Sequence, residues 1–151
     1  MKIKSPDKLD SAASIIAADC LAMRVRYLNR TLTSIYDDAF RGLGITASQV
    51  NMLVAIIKQK ELSAGQLGDI LNIEKSTLSR NLDRMRKAGW IEITPPPSGR
   101  SHIIQASKKG KELLLEVLPC WQEAQEDATQ LLGPTGSRAL KKAGNHAKGK
   151  S

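Results

Sequence analysis

Two short signals in the middle of this chain, Thr46-Ala47-Ser48-Gln49 and Ser63-Ala64-Gly65-Gln66, constrain its fold most tightly. In each, a hydroxyl residue precedes a glutamine by three positions. At that spacing the hydroxyl accepts from the third helical N–H while the amide reaches back to the cap N–H. Helices therefore open at residues 46 and 63. The first directs Val50, Leu53, Val54 and Ile57 inward and ends near Lys58-Gln59-Lys60. The second is short, with Leu67, Ile70 and Leu71 on one face. Asn72-Ile73 makes a tight turn into a longer helix from about Glu74 to Ala88. Its inward residues Leu78, Leu82 and Met85 fall at i, i+4 and i+7 before Gly89 stops it.

Trp90–Thr94 and His102–Ala106 read as strands. Between them Pro95, Pro96 and Pro97 cannot donate to a ladder, so the connection is an exposed hairpin tip. Before this block, Ser11 to Leu43 reads as one long helix, ended by Gly42-Leu43-Gly44. Leu21, Val25, Leu28, Leu32, Ile35 and Ala39 form one heptad-like stripe on it, and Ile16, Cys20, Met23 and Tyr27 form a second. A helix apolar on two sides needs cover on two sides, from a second copy or from a monomer's interior. After the hairpin, Ser107 caps a last long helix to about Leu132, kinked at Pro119 and broken by Gly133-Pro134. Residues 133–151 then read as a basic tail, a frayed turn followed by disorder. The expected fold class is mostly α with a small β-hairpin: a winged helix-turn-helix domain at 46–106 and long dimerisation helices at 11–43 and 107–132.

The formal net charge is +8, unevenly spread. Residues 1–60 and 61–111 each carry nine Lys/Arg against five Asp/Glu. Residues 112–136 carry five acids and no base, and residues 137–151 five bases and no acid. Such a field suits a polyanion or a solvated charged surface. Five aromatics are too few for base-stacking platforms, which argues against single-stranded or RNA partners. No apolar run spans a bilayer and no secretory signal opens the chain, so a cytoplasmic protein without a membrane partner is expected. Cys20 and Cys120 are a hundred residues apart without CxxC spacing, and His102 and His146 share no helix face. Neither a disulfide scaffold nor a metal site is expected, and no cofactor. A nucleophile–base pair, a glycine-rich phosphate loop and paired carboxylates are all missing, so no enzyme is expected.

The outward face of the 74–88 helix carries the functional signal. At 100° per residue from Leu78, residues Ser76, Arg80, Asp83, Arg84 and Lys87 point away from the core, with Thr77 on the flank and Ser79 beside Arg80. Small hydroxyls at the entry end let a helix into a major groove about 12 Å wide. Arg80 and Arg84 can span guanine edges or clamp the backbone. Asp83, between Arg80 at i−3 and Lys87 at i+4, orients basic side chains. On the hairpin, Ser98, Gly99, Arg100 and Ser101 form a tip from which Arg100 can enter a minor groove.

Residues 62–71 (Leu-Ser-Ala-Gly-Gln-Leu-Gly-Asp-Ile-Leu), 76–85 (Ser-Thr-Leu-Ser-Arg-Asn-Leu-Asp-Arg-Met) and 87–91 (Lys-Ala-Gly-Trp-Ile) resemble the signature of MarR-type winged helix-turn-helix regulators. Ser107 to Leu113 resembles that family's strand-to-helix junction, and the likeness covers roughly residues 11–132. It implies a homodimer joined by its terminal helices, with one recognition helix in each half-site of a near-palindromic operator. It also implies relief by a small-molecule effector or by cysteine oxidation. Three places depart from the pattern. Ser98 stands where the family's wing has an aspartate, Ala106-Ser107 stands for Leu-Thr, and the C-terminal helix is shortened to a basic tail. Tyr36 fits a tyrosine position of peroxide-sensing members, but Cys20 falls two residues out of place and Ala47 stands where a second tyrosine is expected. The function expected is a sequence-specific double-stranded DNA-binding regulator, a repressor. Its rivals are a winged-helix protein-interaction module and a cysteine-based redox regulator.

Overall fold

The computed structural model describes residues 5–96, 99 and 101–149. In chain order it contains α1 (Ser5–Asp19), α2 (Leu21–Phe40), a 3₁₀ turn (Arg41–Leu43), α3 (Ala47–Gln59), α4 (Ala64–Leu71), α5 (Lys75–Lys87), β1 (Ile91–Thr94), β2 (Ile103–Ala106) and α6 (Lys108–Lys148). The chain divides into two compact units, Met1–Ser34 and Ile35–Ser151.

In the first unit, the single helix expected from residue 11 is two helices, interrupted at Cys20. A break frees carbonyls that would accept from the next turn, and the Arg24 guanidinium takes two of them. It donates to the carbonyl of Ala17 at 3.4 Å and to that of Ala18. A long-range side-chain cap of this kind replaces the glycine or proline that a break would otherwise call for. Both apolar stripes are solvent-facing along this stretch. Ile16 is 61% exposed, Leu21 76%, Val25 62% and Tyr27 76%.

The second unit holds the core. Both capping boxes form as their spacing requires. Thr46 N–H donates to Gln49 Oε1 at 3.1 Å and Gln49 N–H to Thr46 Oγ1 at 3.3 Å. The Ser63–Gln66 pair does the same at 2.8 and 3.2 Å. Helix α3 packs against α4, β2 and α6. It is therefore apolar on two sides, with Met52, Leu53 and Ile56 fully buried. Val54 and Ile70, expected inward, are exposed at 41% and 42%. A one-face helical pattern cannot reveal that α3 is covered on its Met52–Ile56 side, which rotates Val54 outward.

The hairpin pairs Ile91 with Ala106 and Thr94 with Ile103, antiparallel. Leu62 adds a third segment: Ile104 N–H donates to Leu62 O at 2.8 Å, and Leu62 N–H to Ile104 O at 3.4 Å. Ile104 and Leu62 are both buried by this. Ser107 caps α6 through Gly110 N–H at 3.0 Å. Tyr36 Oη donates to Gln125 Oε1 at 2.6 Å, tying the end of α2 to α6, and burial pushes the phenol pKa up.

Helix α6 corrects two expectations. Its internal break lies at Gly133 (φ 69°, ψ 167°), and the chain stays helical through Pro119. Residues 134–148, expected as a frayed and disordered tail, are helical to Lys148. Pro134 sits at the first position of the second arm, where its missing N–H is not needed and its fixed φ suits the helix. Gly133 takes the extended, positive-φ conformation that precedes it.

Candidate nucleic-acid interface

Helix α5 is held at both ends by backbone geometry rather than by its own side chains. Before it, Asn72 adopts φ 50°, ψ 52°. Asn72 N–H reaches Asp69 O at 3.4 Å and Ile73 N–H reaches Gly68 O at 3.0 Å, a Schellman closure of α4. After it, Gly89 at φ 80° closes the same motif, with Gly89 N–H on Arg86 O and Trp90 N–H on Met85 O, both at 3.0 Å. The two stops set the length of α5 and its angle to α4.

The end of α5 is then locked to the start of α6. Ser107 Oγ donates to Gly89 O at 2.6 Å, Ser107 N–H to Trp90 O at 3.0 Å, and Lys109 Nζ to Ala88 O at 2.8 Å. Gly110 passes so close that an added Cβ would lie 2.0 Å from Trp90 O. The lysine also meets the negative end of the α5 dipole.

Leu78, Leu82 and Met85 are buried, which fixes the opposite face outward. Ser76, Ser79, Arg80, Arg84 and Lys87 are exposed, and Thr77 is half-buried. The Thr77 carbonyl accepts from Asn81 Nδ2 at 3.0 Å. Asp83 does not pair with Arg80. Its carboxylate takes Lys87 Nζ at 2.7 Å and Arg86 at 3.1 Å. Lys87 and then Arg86 hold the Asp83 carboxyl below the usual aspartate range. The Arg80 and Arg84 side chains have no ion pair or hydrogen bond among the described residues. Helix α5 thus carries five basic side chains against one aspartate, and the two central arginines are uncompensated.

Of the wing residues, Gly99 (φ 79°) and Ser101 are exposed. Ser98 and Arg100 lie outside the described residues. Sequence reasoning passed over Lys75 and Arg86. Lys75, in the first turn of α5, is exposed. The available signal was electrostatic: a cation at a helix N-terminus is disfavoured by the dipole unless an anion joins it. Arg86 could have been found only by weighing it against Arg80 as the partner of Asp83.

Comparison with known proteins bears on the fold. Residues 43–101 match the family model described as MarR family. The multiple antibiotic resistance protein MarR of Escherichia coli (strain K12) is 25% identical over 112 residues, 74% of this chain and 76% of the relative. A cysteine-to-serine mutant of E. coli MarR, solved in complex with operator DNA, is similar at a TM-score of 0.76. That match has 20% identity and covers 87% of this chain and 96% of the other. A probable transcriptional regulator from Pseudomonas aeruginosa has a TM-score of 0.76 at 21% identity, covering 87% and 98%. The M. tuberculosis transcriptional regulator MosR has 0.72 at 27%, covering 87% and 97%. The solved structures bear out the winged helix-turn-helix fold, and within it residues 43–101 are similar to the MarR family model.

Proposed function

We propose that this chain is a sequence-specific double-stranded DNA-binding transcriptional regulator, a cytoplasmic repressor acting as a homodimer on a near-palindromic operator. The observation that carries this reading is the outward face of α5, where Arg80 and Arg84 are exposed without a carboxylate partner among the described residues, behind small hydroxyls at Ser76 and Ser79. Phosphate contacts position such a helix and base edges specify it. Ser76, Thr77, Ser79 and Lys87 join the arginines on the groove side, with Gly99, Arg100 and Ser101 on the wing. A structural relative solved in complex with operator DNA supports duplex DNA as the partner. A protein-docking role is disfavoured, since interface centres prefer aromatic and aliphatic anchors to free charge.

Exposed Ile16, Leu21, Val25 and Tyr27 support a second copy as the cover for the N-terminal helices. Relief by a small effector belongs to the same reading. An open groove of about 980 Å³ runs between α4, α5 and β1 over Leu78, Leu82 and Ile93, where an occupant would touch the recognition helix directly.

The test is a pair of titrations, one with a duplex enriched by in-vitro selection and one with random duplex, for the wild type and Arg80→Ala. Neutralising about four to six phosphates per subunit gives the wild-type dimer a log K against log[salt] slope of about −7 to −11. Arg80→Ala costs about 1–3 kcal/mol on the selected duplex and much less on the random one. A salt slope near zero for the wild type refutes DNA binding. Equal losses on both duplexes make Arg80 a phosphate clamp and transfer base reading to Ser76 and Thr77.

A further inference from the structure

The chain leaves α5 through three successive carbonyls, those of Ala88, Gly89 and Trp90, and two residues at the start of α6 take all three. Ser107 supplies the donors for two of them. It holds the Gly89 carbonyl with its hydroxyl and the Trp90 carbonyl with its N–H, beside the first rung of the hairpin, where Ile91 pairs with Ala106. The same hydroxyl accepts from Gly110 N–H at 3.0 Å, so both its roles are committed. These contacts sit together where the chain segments cross and act as a pivot. Lys109 reaches past that pivot, and its Nζ donates at 2.8 Å to the carbonyl of Ala88, the C-cap of α5.

That bond bears on the helix itself. Leu78, Leu82 and Met85 keep the inward face of α5 in the core, but apolar burial is non-directional and tolerates a small swing. A hydrogen bond at the helix end is directional and resists it. From Ala88 back to Ser76 the helix runs about 18 Å. A swing of about 5° at Ala88 would carry Ser76 roughly 1.5 Å, enough to make or break a hydrogen bond at a base edge.

Lys109 is also placed against the preference of its own helix. It lies in the first turn of α6, where the dipole disfavours a cation, between Lys108 and Lys111. The negative end of α5 offsets that cost. The lysine stem lies along Gly89, its Cδ 3.6 Å from where a Cβ would stand, so the side chain is laid across the exit of α5. Lys108, in the same turn, instead stands 3.7 Å from Glu112 of its own helix.

We propose that Lys109 is a positioning residue for DNA reading: by holding the Ala88 carbonyl it sets the angle at which α5 presents Ser76 and Arg80, without touching DNA itself. The inference rests on the DNA-binding reading of α5. Its signature is that loss of this lysine lowers discrimination between sequences rather than attraction to phosphate.

Full-length Lys109→Met and Lys108→Met test it, because each loses the same charge from the same turn and keeps an unbranched stem. Both side chains are exposed, and circular dichroism melts establish that both variants fold. Each is titrated beside the wild type, at two salt concentrations, against the selected duplex and the random one. Lys109→Met is expected to lose about three- to tenfold more than Lys108→Met on the selected duplex, and to match it on the random duplex. Arg80→Ala is expected to cost less on the selected duplex in the Lys109→Met background than in the wild type, since the two residues act through one geometry. Equal losses for the two lysine variants on the selected duplex overturn the proposal. So does a Lys109→Met loss that is equal on both duplexes and flattens the salt slope, which makes the lysine a phosphate contact. A lowered Tm with discrimination intact overturns it too, because the bond then serves stability alone. A wild type that fails to discriminate between the duplexes refutes the DNA reading itself, whereas a wild type and a Lys109→Met that discriminate equally refute this inference alone.

Discussion

Gly110→Ala tests the junction that aims the recognition helix. The added methyl would lie 2.0 Å from Trp90 O, 2.9 Å from Trp90 C and 3.2 Å from Trp90 Cα, all backbone atoms that cannot rotate away. Relief requires α6 and the start of β1 to part by roughly 1 Å, since carbon–oxygen contacts settle above about 3.3 Å. That shift stretches the 3.0 Å bond from Ser107 N–H to Trp90 O and the 2.6 Å bond from Ser107 Oγ to Gly89 O. Two weakened hydrogen bonds cost about 1–3 kcal/mol together. Repacking Leu113 and Val117, buried on the same face of α6, adds about 1–3 kcal/mol. Replacing a helical glycine with alanine returns about 1 kcal/mol. The expected net loss is about 1–5 kcal/mol, centred near 3 kcal/mol, which lowers Tm by about 6–12 °C at fixed protomer concentration. Far-UV circular dichroism melts and urea titrations measure it. Gly144→Ala is the control: nothing lies within 4 Å of its added Cβ, so it matches or slightly exceeds the wild type. A Gly110→Ala melt within about 2 °C of the wild type refutes the close approach, because no side chain stands between the two backbones to absorb it.

Other consequences are smaller. Ser63→Ala removes the cap that holds Gln66 N–H, with an expected loss of about 1 kcal/mol read by urea denaturation; Ser63→Gly loses only a few tenths. Asp83 has its carboxyl pKa lowered in the fold by Lys87 and Arg86, so its pairs favour the folded state above the unfolded aspartate value and fade as pH falls through the lower folded one. Carboxyl-carbon NMR titration is expected to place the Asp83 midpoint below that of a model aspartate, and an unshifted midpoint contradicts the pairing. In Asp83→Asn the released Arg86 and Lys87 can reach phosphate, so affinity for random duplex rises at low salt and its salt slope steepens. An unchanged slope shows that the pair already yields to DNA.

What the sequence by itself determined were features whose hydrogen-bond partners lie within one turn. Thr46 with Gln49, Ser63 with Gln66, Ser107 with Gly110 and the stop at Gly89 each close over three to five residues, so residue type and spacing suffice. The buried Leu78, Leu82 and Met85 follow from a period that needs no knowledge of neighbours, and with them the outward placement of Arg80 and Arg84. The tertiary structure alone decided features whose partners are distant in the chain or whose local alternatives are close in energy. Leu62 pairs with Ile104 because the chain returns there, a meeting no local pattern encodes. Val54 turned outward because α3 is covered on its other side. Asp83 had three cations within one turn and took Lys87 and Arg86, leaving Arg80 free. Gly133-Pro134 can end one helix or begin the next, and only the folded chain shows it doing both. Cys20 breaks a run of good helix formers because a side chain from the following turn, Arg24, satisfies the carbonyls of Ala17 and Ala18 that the break exposes.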